Sequence, residues 1–301
     1  MAEIDGFHKQ RRSLFAIAYR MLGTVSDAED ILQEAYVKWQ LAKEKQVLIR
    51  NEKSYLSTIV TRLCLEQMRS ARVKRETYVG TWLPEPIVSE ESTHTPSISD
   101  PESMAGLADS LSTAFLVMLE SLSPVERAAF LLREVFDYSY QEISEIINKN
   151  EANCRQLVRR AKERTHSRKQ RFPVSDEHKS QMLWQFMQTC LSGDVDGFVS
   201  LLADDVILYS DGGGKAKAAI NPIFGADRVQ RFCFGLARKF PEEVASSFGL
   251  INGEPGVIMY LNGKPHSTMV FEYEDEKIKA IYIVRNPDKL ERVPGFEVQQ
   301  A

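Results

Sequence analysis

The stretch that most restricts what this chain can become runs from Ser139 to Ala161, SYQEISEIINKNEANCRQLVRRA. Ser139 stands three residues before Glu142, the spacing of a capping box that opens a helix. Ile143, Ile146 and Ile147 follow at the i, i+3, i+4 spacing of one buried face. Asn148 and Asn150 bound a turn; Asn148 tolerates left-handed backbone and Asn150 can cap a following helix. That second helix turns Cys154, Leu157, Val158 and Ala161 inward and leaves Asn153, Arg155, Gln156, Arg159 and Arg160 outside. Two short helices, a tight turn and a basic outer face read as a helix-turn-helix, whose second helix enters the major groove of DNA. A helical hairpin with a solvated basic face has the same pattern, so the rest of the chain must decide.

At 301 residues there is room for two or three domains, each with its own core. The N-terminus, MAEIDGFHKQRR, lacks an apolar signal core, and no apolar run approaches the roughly 20 residues that span a bilayer. A cytoplasmic protein without membrane contact is expected. The four cysteines, Cys64, Cys154, Cys190 and Cys233, are far apart in the chain, which fits reduced thiols better than disulfides or a metal site. Net charge is −4, but it is segregated. Arg155 to Arg171 carries eight bases against Glu163 alone, whereas Glu85 to Asp109 carries six acids and no Lys or Arg. Local fields decide what each part touches.

Near the N-terminus, Leu14, Ile17, Ala18 and Met21 form the stripe of a first helix that Gly23 ends. Ser26 and Glu29 have capping-box spacing, and the helix they open turns Ala28, Ile31, Ala35 and Trp39 inward. At 100° per residue, Asp27, Asp30 and Glu34 fall within about 60° of arc on another face. Acids in a first turn complement the helix dipole, but Gln33 and Glu34 lie too far in for that, so an acidic docking face is expected. A third helix buries Leu56, Ile59, Val60 and Leu63. Tyr55, Arg62 and Arg69 share its outer side, and its end is basic through Arg69, Arg72, Lys74 and Arg75. Aromatic groups interleaved with arginine suit unstacked bases and phosphates; a solvated, dipole-matched helix end is the plainer alternative.

Gly80 to Asp109 contains four prolines, many Ser and Thr, acids and few apolar residues, the composition of a linker. Trp82 is out of place in a tether and is expected to dock on a neighbouring domain. Beyond it, Ser123-Pro124 with Glu126 is a strong helix start, and Ala128, Leu131, Leu132 and Val135 form the stripe that supports the helix-turn-helix. After Phe172-Pro173 the pattern changes to helices over 176–191 and from Asp194 or Asp196 to 202. Strand patterns follow at 206–210, 244–251, 256–261, 267–274 and 277–285, with a helix burying Val229, Phe232, Cys233 and Leu236 after the first. Helices followed by a curling antiparallel sheet read as α+β. This third carries 13 bases against 18 acids, net −5, which disfavours nucleic-acid binding there.

DAEDILQEAYVKW resembles the second conserved region of the sigma-70 family, and YLSTIVTRLCLEQMRS the adjoining part that opens and reads the −10 element. LSPVERAAFLLREVFDYSYQEISEII resembles the fourth conserved region. Two such modules joined by a linker are similar to the extracytoplasmic-function sigma factors. WLPEP at 82–86, DGGGK at 211–215 and NPDKL at 286–290 match the subgroup with a fused SnoaL-like domain of the nuclear transport factor 2-like cone fold.

The resemblance implies a multidomain chain: region 2 over 1–78, an acidic linker over 79–109, a region 4 helix-turn-helix over 110–172 and an α+β cone over 173–301. It implies that Asp27, Asp30, Gln33 and Glu34 dock on the β′ clamp helices of core RNA polymerase, with the β flap as a second contact. Tyr55, Arg62, Arg69 and Arg72 would address unpaired −10 bases, and Asn153, Arg155, Gln156, Arg159 and Arg160 double-stranded −35 DNA. Arg62 and Glu66 depart from the Asn and Asp usual in the family, which changes how a −10 base would be held.

Control by the fused domain is implied through Trp82, Leu83, Pro84, Glu85 and Pro86; through Asp211, Gly212, Gly213, Gly214 and Lys215; and through Asn286, Pro287, Asp288, Lys289 and Leu290. No metal, cofactor or catalytic residue is expected, and the cone leaves an apolar pocket with room for an unidentified small ligand. Two rival readings are a one-component regulator that uses the helix-turn-helix and senses a ligand, and a pocket enzyme with Asp211 or His266 as base.

Overall fold

In a computed structural model of the protein, residues 6–76, 78–89, 112–165, 174–239 and 244–296 are described, without the side chains of 71–76. The chain divides into two compact units: residues 1–77 with 116–169, and residues 78–115 with 170–301.

The first unit is helical. α1 (Gly6–Leu22), α2 (Val25–Glu44) and α3 (Glu52–Glu76) pack around Leu14, Ile17, Trp39 and Leu56, all buried as their 3.6-residue spacing requires. Gly23 ends α1 with φ 76 and an N–H donated to the Tyr19 carbonyl at 2.7 Å. The start of α2 differs from expectation. Thr24, not Ser26, is its N-cap residue, and the Thr24 hydroxyl is drawn to the Asp27 carboxylate at 2.5 Å instead of capping a backbone N–H.

α4 (Thr113–Leu119) leads to α5 (Pro124–Glu134), α6 (Tyr140–Ile147) and α7 (Glu151–Thr165). Both expected capping boxes are present, Ser123 with Glu126 on α5 and Ser139 with Glu142 on α6. Asn148 closes α6 at φ 52, ψ 57, and the Asn150 side chain accepts the Asn153 N–H at 2.8 Å to open α7. The helix-turn-helix therefore folds as its sequence dictates.

The second unit holds one seven-stranded sheet in the order β1-β4-β5-β6-β7-β2-β3. Its strands are β1 (Val88–Ser89), β2 (Leu202–Asp211), β3 (Ile223–Phe224), β4 (Val244–Ile251), β5 (Glu254–Leu261), β6 (Lys264–Glu274) and β7 (Lys277–Val284). Asn252-Gly253 and Asn262-Gly263, all with positive φ, make the two-residue turns that tie β4 to β5 and β5 to β6. The sheet is not wholly antiparallel: β2 enters straight from α9 (Val195–Leu201) and lies parallel to β7. α8 (Asp176–Ser192), α9 and α10 (Ala226–Ala237) cover a core built on Phe186, Phe198, Phe271 and Ile281. α11 (Pro287–Leu290) is a single turn after β7.

β1 is the departure that matters. It belongs to the stretch read as linker, yet it pairs with Leu250 and Ile251 of β4, and Leu83, Pro84, Glu85 and Pro86 beside it are buried. Residues 90–111 of that stretch lie outside the described residues.

Candidate nucleic-acid interface and the linker latch

On α7, Cys154, Leu157, Val158 and Ala161 are buried, which leaves Asn153, Arg155, Gln156, Arg159 and Arg160 exposed on one flank. Arg155 and Arg159 are paired along the helix with Glu151 and Glu163, both at 2.8 Å. Such exposed pairs are weak and can be exchanged for phosphate at little cost. Arg160 and Arg164 instead flank Glu126, at 3.8 and 2.8 Å. Burial works to raise the Glu126 carboxyl, but it is outweighed by hydrogen bonds from Ser123 and by Arg164 and Arg160, and the group lies below the ordinary range.

On α2, Asp30, Gln33 and Glu34 are exposed and Asp27 is half-buried through its bond to Thr24. Glu34 pairs with Lys38 at 3.1 Å. Sequence reasoning missed two neighbours: Val37 and Leu41 are 55% and 46% exposed. At 100° per residue both fall within about 20° of Asp30, so the face combines acids with an apolar strip. Their absence from the buried stripe was the available signal.

On α3, Arg62 and Arg69 are exposed and Tyr55 is half-buried against Trp39. The Arg72 side chain lies outside the described residues. The Arg62 guanidinium is occupied, donating to the carbonyls of Glu145 and Ile146 at 2.8 and 3.0 Å at the end of α6. Other bonds join the same helices. Ser57 and Tyr138 share a buried hydrogen bond of 2.6 Å, and Arg127, itself buried, donates to the Met21 carbonyl at 2.8 Å and pairs with Glu120 at 2.8 Å. Arg20, fully buried and pushed down to about 10 by burial, lies over the Phe136 ring. The two helical modules, which the stretch read as linker divides in sequence, are one packed unit.

The three signature motifs meet within the second unit. Asp211 ends β2 with no exposed surface, and its carboxylate accepts from the Tyr78 hydroxyl at 2.6 Å, the Leu83 N–H at 2.8 Å, the Gly213 N–H at 3.0 Å and Lys289 Nζ at 2.7 Å. Lys289 also donates to the Leu83 carbonyl and lies 4.3 Å from the Trp82 ring centre. The expectation that Trp82 docks thus finds its partner in a cation. Burial, then Asp211, pushes the Tyr78 hydroxyl up. Asn286 caps α11 and donates to Tyr78 at 3.0 Å, while Lys215 pairs with Asp288 at 2.6 Å.

The glycines of the motif are sterically required. A Cβ on Gly212 would strike the Ala216 carbonyl, and one on Gly213, where φ is 57, would strike the Asn286 side chain. Pro287 starts α11, and Leu290 is buried beside Lys289. As a catalytic base Asp211 has no opening to a substrate, and His266 lies elsewhere, 2.8 Å from Arg285.

The family model for Sigma-70 region 2 matches residues 7–73, and that for Sigma-70, region 4 matches residues 112–164. The ECF RNA polymerase sigma factor SigJ of Mycobacterium tuberculosis (strain ATCC 25618 / H37Rv) is 35% identical over 303 residues, covering 97% of this chain and 94% of that protein. The chain belongs to the extracytoplasmic-function RNA polymerase sigma factors. The crystal structure of Mycobacterium tuberculosis extracytoplasmic function sigma factor SigJ matches with a TM-score of 0.76 at 33% identity, over 95% of this sigma factor and 98% of that chain. A probable ECF RNA polymerase sigma factor, SigI of Mycobacterium tuberculosis (strain CDC 1551 / Oshkosh), is 28% identical over 93% of this chain and 92% of its own. Region 2 of this sigma factor is thus α1–α3, region 4 is α4–α7, and the sheet-bearing C-terminal domain is that of the subgroup with a fused SnoaL-like domain. No helix among the described residues is long and apolar enough to cross a membrane.

Proposed function

We propose that this sigma factor acts in the cytoplasm, docking core RNA polymerase through the exposed α2 face of Asp27, Asp30, Gln33, Glu34, Val37 and Leu41. It reads −10 DNA with Tyr55, Arg62, Arg69 and Arg72 and −35 DNA with Asn153, Arg155, Gln156, Arg159 and Arg160. Arg and Gln on α7 match guanine and adenine edges, and the remaining bases set register on phosphate. The C-terminal domain controls this activity and performs no chemistry of its own.

The observation that supports control is the latch. The WLPEP segment, which follows region 2 directly, is fastened to Asp211 and Lys289 by buried hydrogen bonds. The second support is Arg62: a side chain placed to meet DNA is engaged by α6. On this reading the structure is a resting form, and initiation requires regions 2 and 4 to part.

Initiation assays with core polymerase and candidate promoters test it. Asp30→Lys with Glu34→Lys, both exposed, should abolish association with core while leaving the circular dichroism spectrum unchanged. Asp211→Asn should change the initiation rate without changing core affinity. Equal initiation by the wild type and by Asp211→Asn at every promoter would remove the C-terminal domain from control.

A further inference from the structure

The α+β unit contains a cavity of about 500 Å³ that none of the functions above uses. Its size falls in the range of sites that hold small organic ligands, roughly 300 to 1,000 Å³. Phe232 and Leu236 of α10 form one apolar wall, and Leu261 at the end of β5 stands among its other lining residues. All three are only partly buried, so the cavity leaves apolar surface uncovered. The charged lining is of a single sign, Lys217, Lys239 and Arg285, and His266 joins it as a polar group.

Arg285 is the fixed member of that set. Its backbone N–H donates to the Asp211 carbonyl at 2.7 Å, one guanidinium nitrogen donates to the Lys217 carbonyl, and another lies 2.8 Å from His266 Nε2. A guanidinium has five N–H donors, so these contacts orient the fork without consuming it. Since Arg285 donates, His266 accepts through Nε2 in its neutral form; burial and then Arg285 lower the imidazole. Among the described residues no carboxylate pairs with Arg285, Lys217 or Lys239. A half-buried guanidinium in a cavity that Lys217 and Lys239 also line, beside apolar walls, gives a positive potential that suits an anion.

We infer that the cavity binds a small amphipathic carboxylate, its head group on the fork of Arg285 with Lys217 and Lys239 nearby and its hydrocarbon body against Phe232, Leu236 and Leu261. The planar fork matches a carboxylate through two parallel hydrogen bonds, and the uncovered side chains match an alkyl or aromatic body.

Calorimetric titration of the full chain with decanoate, decanol and acetate tests this, and binding is measurable whether or not the chain directs transcription. Decanoate should bind saturably, one per chain, below its micelle-forming range, with decanol and acetate each about tenfold weaker or more. Arg285→Gln should weaken decanoate by about tenfold or more. Because Arg285 also holds the 211–217 loop, Lys217→Glu with Lys239→Glu, both exposed, provides a variant whose fold should not change, and it too should weaken decanoate by at least about tenfold. Decanol binding as tightly as decanoate would reduce the site to a greasy cleft, and acetate binding as tightly would reduce it to a cationic patch. Either result, an absence of saturable decanoate binding, or undiminished affinity in the double lysine variant overturns the inference.

Discussion

At Asp211 and Lys289, which are 0% and 8% exposed at their side chains, one ion pair closes the latch. Removing one partner of a buried pair leaves the other uncompensated, which costs about 3–5 kcal/mol, whereas replacing both is far milder. Lys289→Met should therefore lower the urea midpoint of the α+β unit strongly, and so should Asp211→Asn. The double variant should recover much of the loss, a coupling that a double-mutant cycle on the midpoints reads directly. Additive losses would mean that the carboxylate depends on Tyr78 and Leu83 and not on the ammonium. The cysteines need no such pairing: burial pushes the Cys190 thiol up to about 12, and Cys64 and Cys233 rise with it, which disfavours the thiolate form of each.

Among the elements, α5 and α6 carry the clearest local code. Each begins with a complete capping box, so Ser123→Ala or Ser139→Ala should cost about 1 kcal/mol in denaturant unfolding of the helical unit. Hydrogen bonds from Ser139 hold the Glu142 carboxyl below its usual range, and the balance at Glu126 runs the same way. A carboxyl depressed by folding adds stability above its unfolded pKa, about 4.3, and that stability is lost as pH falls through the folded value. The urea midpoint of the helical unit should hold between pH 7 and about pH 5 and fall as pH drops through about 4.3 and below, and by less in Ser139→Ala.

These elements were legible because their information is local: a cap, a stripe, an Asn at the turn. The same locality misled at Ser26, where the pattern fits but Thr24 binding Asp27 sets the start of α2. What needed distant partners could not be read. A two-residue strand such as β1 has no pattern of its own, and nothing in the apolar run of β2 says that its neighbour β7 runs parallel. The latch was legible as three motifs and not as one carboxylate, because only the fold brings residues 83, 211 and 289 together.

For the molecule as a whole, the packing of region 2 on region 4 decides which surfaces are free. α3 meets α5 and α6 through Ser57–Tyr138 and through Arg62 on the α6 carbonyls. Tyr138→Phe keeps the ring but removes the buried hydrogen bond, which costs about 1 kcal/mol and shifts a closed-to-open equilibrium about fivefold. Initiation at a promoter with both −35 and −10 elements should rise by a similar factor in single-round transcription. A fall would show that the packed form is the active one.

Asn252 has a consequence for chain length. Its side chain accepts the Ile87 N–H at 2.8 Å and donates to Thr113 Oγ1 at 3.0 Å, and its own N–H meets the Ile87 carbonyl at 2.8 Å. The polypeptide between Ile87 and Thr113 therefore starts and finishes at one amide. While those bonds hold, Ile87 and Thr113 are kept at one point, against a closure entropy that grows only as about (3/2)RT ln n. Breaking the Asn252 bonds frees both ends together, so on the proposed reading the separation open to regions 2 and 4 changes in a step and not by degrees.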